Sequence, residues 1–325
     1  MPNKNFLLFA LPGTEHLANK ICSCLNTNLA ETEYTRFADG EVLIKSKTTV
    51  RNLDVYIVVS TSLSVNDRLM ELLIFVDSLK RASAKSITVI FTYFGYARQD
   101  RKSKGREPIT AKLVANLLES AGVTKVVAVD LHNPSIQGFF DVPVDDLRAH
   151  YVLSTELASR NERFTIVSPD YGGTVRARLT AELISNDIQI AIVDKRRTGI
   201  NKTEVLGLIG DVRGKNVVIV DDIIDTGGTI IKAAETLKKY GAKKIIVAAS
   251  HGIFTKGFEI FENSEVVDEV IITDSIRQEK MFKQFKKLTI ISLADFISQV
   301  IVAMTENRSI SDIYKKLRDG VINDI

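Results

Sequence analysis

Short, uninterrupted apolar runs alternate with stretches of helical period along this chain. DVYIVVST (54–61), SITVIFTYF (86–94), KVVAVDL (125–131), FTIVSPD (164–170), IQIAIVDK (188–195), NVVIVDD (216–222) and KIIVAAS (244–250) are rich in β-branched residues. They are too short for helices and lack polar alternation, which predicts strands buried on both faces. Between them lie helix candidates: DRLMELLIFVDSLKRAS (67–83), ITAKLVANLLESAG (109–122) and VRARLTAELIS (175–185). In the first of these Leu69, Leu72, Leu73, Val76 and Leu79 share one face. Strands alternating with helices predict an α/β fold with mainly parallel sheets flanked by helices. The pattern occurs twice. It predicts an N-terminal domain over 1–149 and a C-terminal domain over 150–325, without a long linker. The segment after Val300 is expected to form a helix that packs back on the N-terminal domain.

Composition narrows the classes of function. The 325 residues are 45% hydrophobic, ample for more than one core. A net charge of +3, from 43 basic and 40 acidic residues, argues against nucleic acid as the main partner. Cys22 and Cys24 are too close for a good disulfide and belong to no zinc cluster, so a reduced, cytoplasmic protein is expected. No apolar stretch reaches about 18 residues, so no membrane span is expected. The start MPNKNFLLFALPGTEHLANK lacks the features of a signal peptide and reads as a strand, a turn and a helix.

Ligands of open α/β sheets sit beyond the carboxyl ends of the strands, where this chain concentrates its polar residues. VVIVDDIIDTGGTI (217–230) reads as a strand over Val217–Val220, a turn over Asp225–Thr229 and a helix from Ile230. Gly227 and Gly228 expose successive N–H groups which, with the hydroxyls of Thr226 and Thr229, suit a phosphate dianion at a helix N-terminus. Asp221 and Asp222 would repel that phosphate, so they should face sugar hydroxyls. Together these groups imply a phosphorylated sugar. In VSPDYGGT (167–174), Gly172 and Gly173 are expected to cradle a pyrophosphate and Asp170 to hold a metal. In VDLHNPSIQGFF (129–140), His132 follows the strand end at Asp130 and is open to two readings, a structural histidine or a Mg²⁺ ligand beside Asp170, direct or through water. YFGYARQDRKSKGREP (93–108) carries five basic residues after an aromatic strand end, which suits an anionic ligand with a planar ring. DKRRTGINKT (194–203) is expected to form a mobile cationic loop that closes over transferring phosphates. ATP is compatible with these features. The chain has neither G-x-x-x-x-G-K-[ST] nor a G-x-G-x-x-G after a strand, which excludes a P-loop kinase and disfavours a dinucleotide dehydrogenase.

Taken together, these segments resemble a known family. VVIVDDIIDTGGTI resembles the phosphoribosyl diphosphate (PRPP) loop of type I phosphoribosyltransferase-like proteins. YFGYARQDRKSKGREPITAKLVANLL, DLHNPSIQGFFDVPVDDL, VSPDYGG and DKRR resemble ribose-phosphate diphosphokinases, over about Phe6 to Ser311. The resemblance implies two phosphoribosyltransferase-like domains. It also implies a Mg²⁺-dependent reaction in which ATP and ribose 5-phosphate give PRPP and AMP. Carried over residue by residue, Asp225, Thr226, Gly227, Gly228 and Thr229 hold the 5-phosphate, and Asp221 and Asp222 the ribose hydroxyls. Arg98, Gln99, Asp100 and Arg101 contact ATP. His132 and Asp170 lie near the metal, with Gly172 and Gly173 on the diphosphate side. Lys195 and Arg197 stabilise the migrating group. TRFADGE matches a segment that reaches a neighbouring subunit's adenine site through Phe37, Asp39 and Glu41, implying a homo-oligomer, commonly a hexamer of dimers. Family regulation by phosphate and ADP maps to Arg51, Arg106 and Ser309. Tyr171 stands where members often have His, Ala or Val, and Leu63 where an acid is often found. Three other readings remain: a PRPP-consuming transferase, a non-catalytic regulatory subunit, and a PRPP-sensing transcription regulator. The first leaves YARQDRK and DLHNPSIQGFF unexplained. The second is disfavoured by the intact phosphate loop and the Lys/Arg pair, and the third by the lack of a basic DNA-binding segment.

Overall fold

In the computed structural model, residues 6–160, 162–185, 187–199, 202–278 and 284–323 are described, the side chains of 195–199, 202–206 and 320–323 excepted. The chain divides into two units. One comprises Met1–Arg148 and Ser275–Arg277, the other Ala149–Asp274 and Gln278–Ile325. The short return of 275–277 to the first unit was not anticipated in the sequence.

The first unit runs β1 (Phe6–Ala10), α1 (Glu15–Leu25), β2 (Thr32–Arg36), β3 (Val42–Ser46), β4 (Asp54–Ser60), α2 (Val65–Arg81), β5 (Ser86–Tyr93), α3 (Thr110–Ala121), β6 (Lys125–Val129) and β7 (Val144–Leu147). Five strands form a parallel sheet in the order β1-β4-β5-β6-β7. Its core joins Phe9, Ile57 and Phe91 from the strands to Phe75, Leu79 and Leu118 from the helices. In α2, Leu72, Phe75, Val76 and Leu79 recur at helical spacing and are buried. Lys80 and Arg81 in its last turn complement the helix dipole. Among the described residues, the strands β2 and β3 pair only with each other, as an antiparallel hairpin.

The second unit runs α4 (His150–Ala158), β8 (Phe164–Ser168), α5 (Thr174–Ile184), β9 (Ile190–Gly199), β10 (Lys202–Ile209), β11 (Asn216–Ile224), α6 (Gly228–Lys239), β12 (Lys244–Gly252), α7 (Glu259–Glu262), β13 (Glu269–Thr273), β14 (Leu288–Ile291), α8 (Ala294–Thr305) and α9 (Ser311–Asn323). Its seven-stranded sheet has the order β10-β9-β8-β11-β12-β13-β14, parallel except for the antiparallel β9–β10 pair. Along β11 the apolar side chains alternate between two cores. Val217 and Ile219 join Leu237 and Phe261, whereas Val218 and Val220 join Leu157 and Ala181. Burial on both faces is what makes this strand read as a continuous apolar run.

Two sequence expectations need correction, and the tail has its own place: within the second unit α9 lies against α4 and α5, with the Tyr314 ring 4.7 Å from that of Tyr151 and tilted by 44°. The amphipathic helix finds its apolar partner there, in a tyrosine on α4. The segment read as a mobile cationic loop, 194–199, is strand: β9 continues to Gly199 because β10 pairs with it. The strand before the phosphate loop is also longer, reaching Ile224 because β12 pairs along it to Gly252, and α6 starts at Gly228 rather than Ile230.

Candidate active site

The phosphate-type turn forms where β11 gives way to α6. Gly227 caps the helix with φ 79° and ψ −17°, a left-handed conformation that suits glycine. A Cβ there would also meet Phe261 at 2.7 Å and Ile260 at 3.2 Å. The turn therefore rests directly on α7, whose Phe261 and neighbouring Phe258 pack with Phe254 and Phe285. Gly228 faces open space, and Thr226 and Thr229 are exposed. The result is a pre-formed, solvent-facing helix N-terminus of the kind that binds anions. Asp225 is held from the side by Thr255, whose hydroxyl donates to Oδ1 at 2.6 Å.

Asp221 and Asp222 lie inside β11, not in the loop. Arg176 on α5 reaches both: Nη1 lies 3.1 Å from Asp221 Oδ1 and Nη2 3.2 Å from Asp222 Oδ1. Asp222 is 4% exposed. Burial, and next the charge of Asp222, hold the Asp221 carboxyl well above the usual carboxylate range, with Arg176 opposing them. The sequence reading missed Arg176. The available signal was a cation in the first turn of the helix that follows a glycine pair, in a chain whose two adjacent strand-end acids needed a partner.

The second glycine turn, Tyr171–Gly173, opens α5. Asp170 is exposed and accepts a hydrogen bond from the Gly173 N–H at 3.1 Å through Oδ1. Its backbone carbonyl accepts from Ser168 Oγ at 2.6 Å. Tyr171 is exposed beside it.

In the first unit, two of the predicted loops converge. Asn133, next to the exposed His132, donates to Asp100 Oδ2 at 2.5 Å. Gln99 accepts from Thr110 Oγ1 at 2.6 Å, which joins the basic segment to the start of α3. Arg98 and Gln99 also line a pocket of about 540 Å³ with Leu63, Tyr93 and Tyr96. Ser103 and Lys104 N–H groups donate to Glu107, holding its carboxyl below the usual range. Arg101 is exposed. Phe37, Asp39 and Glu41 form the exposed turn between β2 and β3. The backbone of Lys195 and Arg197 lies in β9, and their side chains fall outside the described residues.

Among the described residues, no group of three or more His, Cys, Asp or Glu side chains gathers around one point. The exposed Asp170 carboxylate fits a hard cation such as Mg²⁺, which keeps several waters and takes few protein ligands. Among the described residues, no helix is long and apolar enough to cross a membrane.

A mainly parallel α/β sheet with paired acids late in a central strand and a glycine-opened helix N-terminus is the architecture of a phosphoribosyltransferase-type protein. Residues 147–282 match the model of the phosphoribosyl transferase domain, and residues 6–122 match that of the N-terminal domain of ribose phosphate pyrophosphokinase. The chain is 61% identical to a ribose-phosphate pyrophosphokinase of Mycoplasmopsis pulmonis over 316 residues, 97% of this chain and 98% of that protein. It is 44% identical to that of Bacillus subtilis, over 96% of this chain and 98% of that one. The crystal structure of phosphoribosylpyrophosphate synthetase from Mycobacterium smegmatis superposes with a TM-score of 0.86 at 38% identity, covering 94% of this chain and all of that one. The chain belongs to the ribose-phosphate pyrophosphokinase family.

Proposed function

We propose that this protein is a ribose-phosphate diphosphokinase, which moves the β,γ-diphosphoryl group of ATP to the C1 hydroxyl of ribose 5-phosphate. The observation that carries the reading is the union, at the end of β11, of two acids with a phosphate-type helix N-terminus. One end suits vicinal hydroxyls and the other a phosphate, and a pentose 5-phosphate carries both. The full-length likeness to ribose-phosphate pyrophosphokinases supports the choice of reaction.

The C1 oxygen attacks the β-phosphorus, the bond from that phosphorus to the α,β-bridging oxygen breaks, and AMP leaves. The hydroxyl proton passes to solvent, and no side chain is assigned as its base. The protein's part is positioning and charge. Asp225, Thr226, Gly227, Gly228 and Thr229 hold the 5-phosphate while Asp221 and Asp222 accept from the ribose hydroxyls. Arg98, Gln99, Asp100 and Arg101 hold ATP, assisted by Phe37, Asp39 and Glu41 from a neighbouring subunit. Asp170, Gly172 and Gly173 orient the diphosphate. Lys195 and Arg197 offset charge on the migrating group. Mg²⁺, held through His132 and Asp170, would neutralise phosphate charge. The assembly is a homo-oligomer, a hexamer built from dimers, acting in the cytoplasm, with phosphate and ADP as regulators.

The test is turnover of purified protein with ATP, ribose 5-phosphate and Mg²⁺. Equimolar AMP and PRPP are expected, and formation of ADP instead would sink the mechanism. Lys195→Ala is expected to bind both substrates yet lose about 100-fold or more in kcat, the range for one electrostatic group acting in the transition state. Near-normal turnover of that variant would remove Lys195 from the mechanism.

A further inference from the structure

The β2–β3 hairpin poses a mechanical problem. Among the described residues it pairs with no other strand, and an isolated two-stranded hairpin is marginally stable in water. On its outer face Glu33 and Lys45 form an ion pair at 3.2 Å, exposed to solvent and of little weight. Its inner face carries Tyr34 and Arg36 from β2, with the buried Ile44 opposite Tyr34 on β3. That face rests on α2.

The contact is organised around one carboxylate. Glu71 lies on α2 with its side chain 2% exposed. Tyr34 Oη donates to it at 2.8 Å, Arg36 Nη2 at 2.9 Å and Arg68 Nη1 at 2.7 Å. Burial, and next the hydrogen bond to Glu71, raise the Tyr34 pKa above its ordinary value. Arg68, one helical turn before Glu71, would suffice to neutralise it. The second cation comes from the hairpin, so it does more than balance charge. Arg36 also donates through Nη1 to the carbonyl of Gly40 at 3.2 Å. One guanidinium thus spans the distance from the buried carboxylate to the turn. Within the turn, Phe37 N–H donates to the Glu41 carbonyl at 2.8 Å, and Glu41 N–H to Asp39 Oδ1 at 3.1 Å. A cavity of about 760 Å³, lined by Pro12, Glu15, Ala30, Tyr34, Arg36 and Arg68 among others, adjoins the network. It leaves the hairpin room to shift if the network is cut.

We infer that Glu71 is a positioning residue for the Phe37–Glu41 turn: through Arg36 it fixes the hairpin on α2 and so presents Phe37, Asp39 and Glu41 to ATP. The inference rests on the reading above that assigns this turn to ATP. Glu71 touches no substrate. Its removal weakens ATP binding by letting the turn wander and leaves the ribose 5-phosphate site untouched.

The chain contains no tryptophan, so Phe37→Trp places a single fluorescent reporter in the turn. In the full-length protein its emission is expected to respond to added ATP. Glu71→Gln, nearly isosteric but uncharged, is expected to raise half-saturating ATP about tenfold in both fluorescence and steady-state assays, the size of losing one charge-assisted hydrogen bond. The KM for ribose 5-phosphate and kcat at saturating ATP should stay within about twofold, and Glu71→Asp should recover part of the loss. Arg36→Lys keeps the charge but cannot span both acceptors, so it should give a smaller rise, again confined to ATP. A Glu71→Gln enzyme with unchanged KM for ATP, or with both KM values raised equally, overturns the inference and leaves Glu71 a purely structural acid. Phe37→Ala separates the layers. If it raises the KM for ATP while Glu71→Gln does not, the positioning role alone is lost. If Phe37→Ala leaves the KM for ATP unchanged, the reading that places the turn at ATP fails and takes the inference with it.

Discussion

Gly173 caps α5 with φ −84° and ψ 0°, an ordinary conformation, whereas Gly227 caps α6 with φ 79°. A Cβ on either would be too close to a neighbour, but the neighbours differ in kind. At Gly173 it is the hydroxyl of Ser168 at 2.8 Å, an atom that can turn only by giving up its bond to the Asp170 carbonyl; at Gly227 it is the ring of Phe261 at 2.7 Å, wedged in an aromatic cluster. The turn before α6 is thus set by its backbone and by a rigid wall, and the turn before α5 by hydrogen bonds to Asp170. A turn set before its ligand arrives spares the cost of ordering on binding. On the proposed function, the 5-phosphate of a small substrate falls to the turn set by its backbone, and the diphosphate of a larger, moving group to the turn set by hydrogen bonds.

The strongest way to break this contrast is Gly227→Ala. The left-handed conformation costs a residue with a side chain about 1–2 kcal/mol, and overpacking against the ring adds roughly 1–3 kcal/mol. The variant should melt several degrees lower and lose ribose 5-phosphate binding about 100-fold, with ATP binding retained. Calorimetric titration of each substrate reads this directly. Ribose 5-phosphate affinity within threefold of wild type would show that the stiff turn is not the phosphate site.

Asp221→Asn comes next. The folded protein holds the Asp221 proton more tightly than the unfolded chain does. Its contribution to stability is therefore complete below the ordinary carboxylate value of 3.8 and is lost as pH rises towards the elevated folded value. Asparagine removes that loss. The variant should melt higher than wild type at neutral pH, with the difference closing towards pH ~4, while its ribose 5-phosphate affinity falls. A wild-type-like melting profile from pH ~4 to 8 would show that the pair is not strained.

Gly173→Ala should cost about 1 kcal/mol or more, and adding Ser168→Ala should restore only the part due to the clash, because it also removes the bond to the Asp170 carbonyl. A failed rescue would mean that the second turn is as stiff as the first. The smallest effect on stability belongs to Gly228→Ala, where a Cβ meets open space. Melting temperature should hold or rise, since alanine favours the helix by up to about 1 kcal/mol, yet the added methyl narrows the anion site and ribose 5-phosphate affinity should fall. Stability and affinity moving in opposite directions would locate the substrate over Gly228.

The central strands were legible in the sequence because burial on both faces leaves an unbroken apolar run, as in β4, β5 and β11. The hairpin strand β2 was not: TEYTR has no buried residue and no apolar period, and its register comes from β3 and from Glu71 on α2. The extension of β9 through Lys195 is invisible locally, since antiparallel pairing with β10 holds it. At the site, the glycine turns and acids could be read because each motif is continuous in sequence. Thr255 could not, lying 30 positions from the carboxylate it holds, and Arg176, 45 positions from Asp221, left only the weak signal of a cation in the first turn of a helix. Glu71 did leave a trace: it is the one charged residue in the run Leu69–Val76, where an acid among apolar neighbours has to find donors once buried.

The short stretch Ser275–Arg277 belongs to the first unit although it is encoded far downstream of it. From Arg148 to Ser275 is 275 − 148 = 127 positions. A ribosome adding about 5–20 residues per second takes roughly 6–25 s to cross that interval. The same interval separates the emergence of Arg148 from that of Ser275, and during it the amino-terminal unit lacks its last segment while the sheet of the second unit is still being delivered. The order of synthesis thus makes the first unit to emerge wait for the second before it is complete.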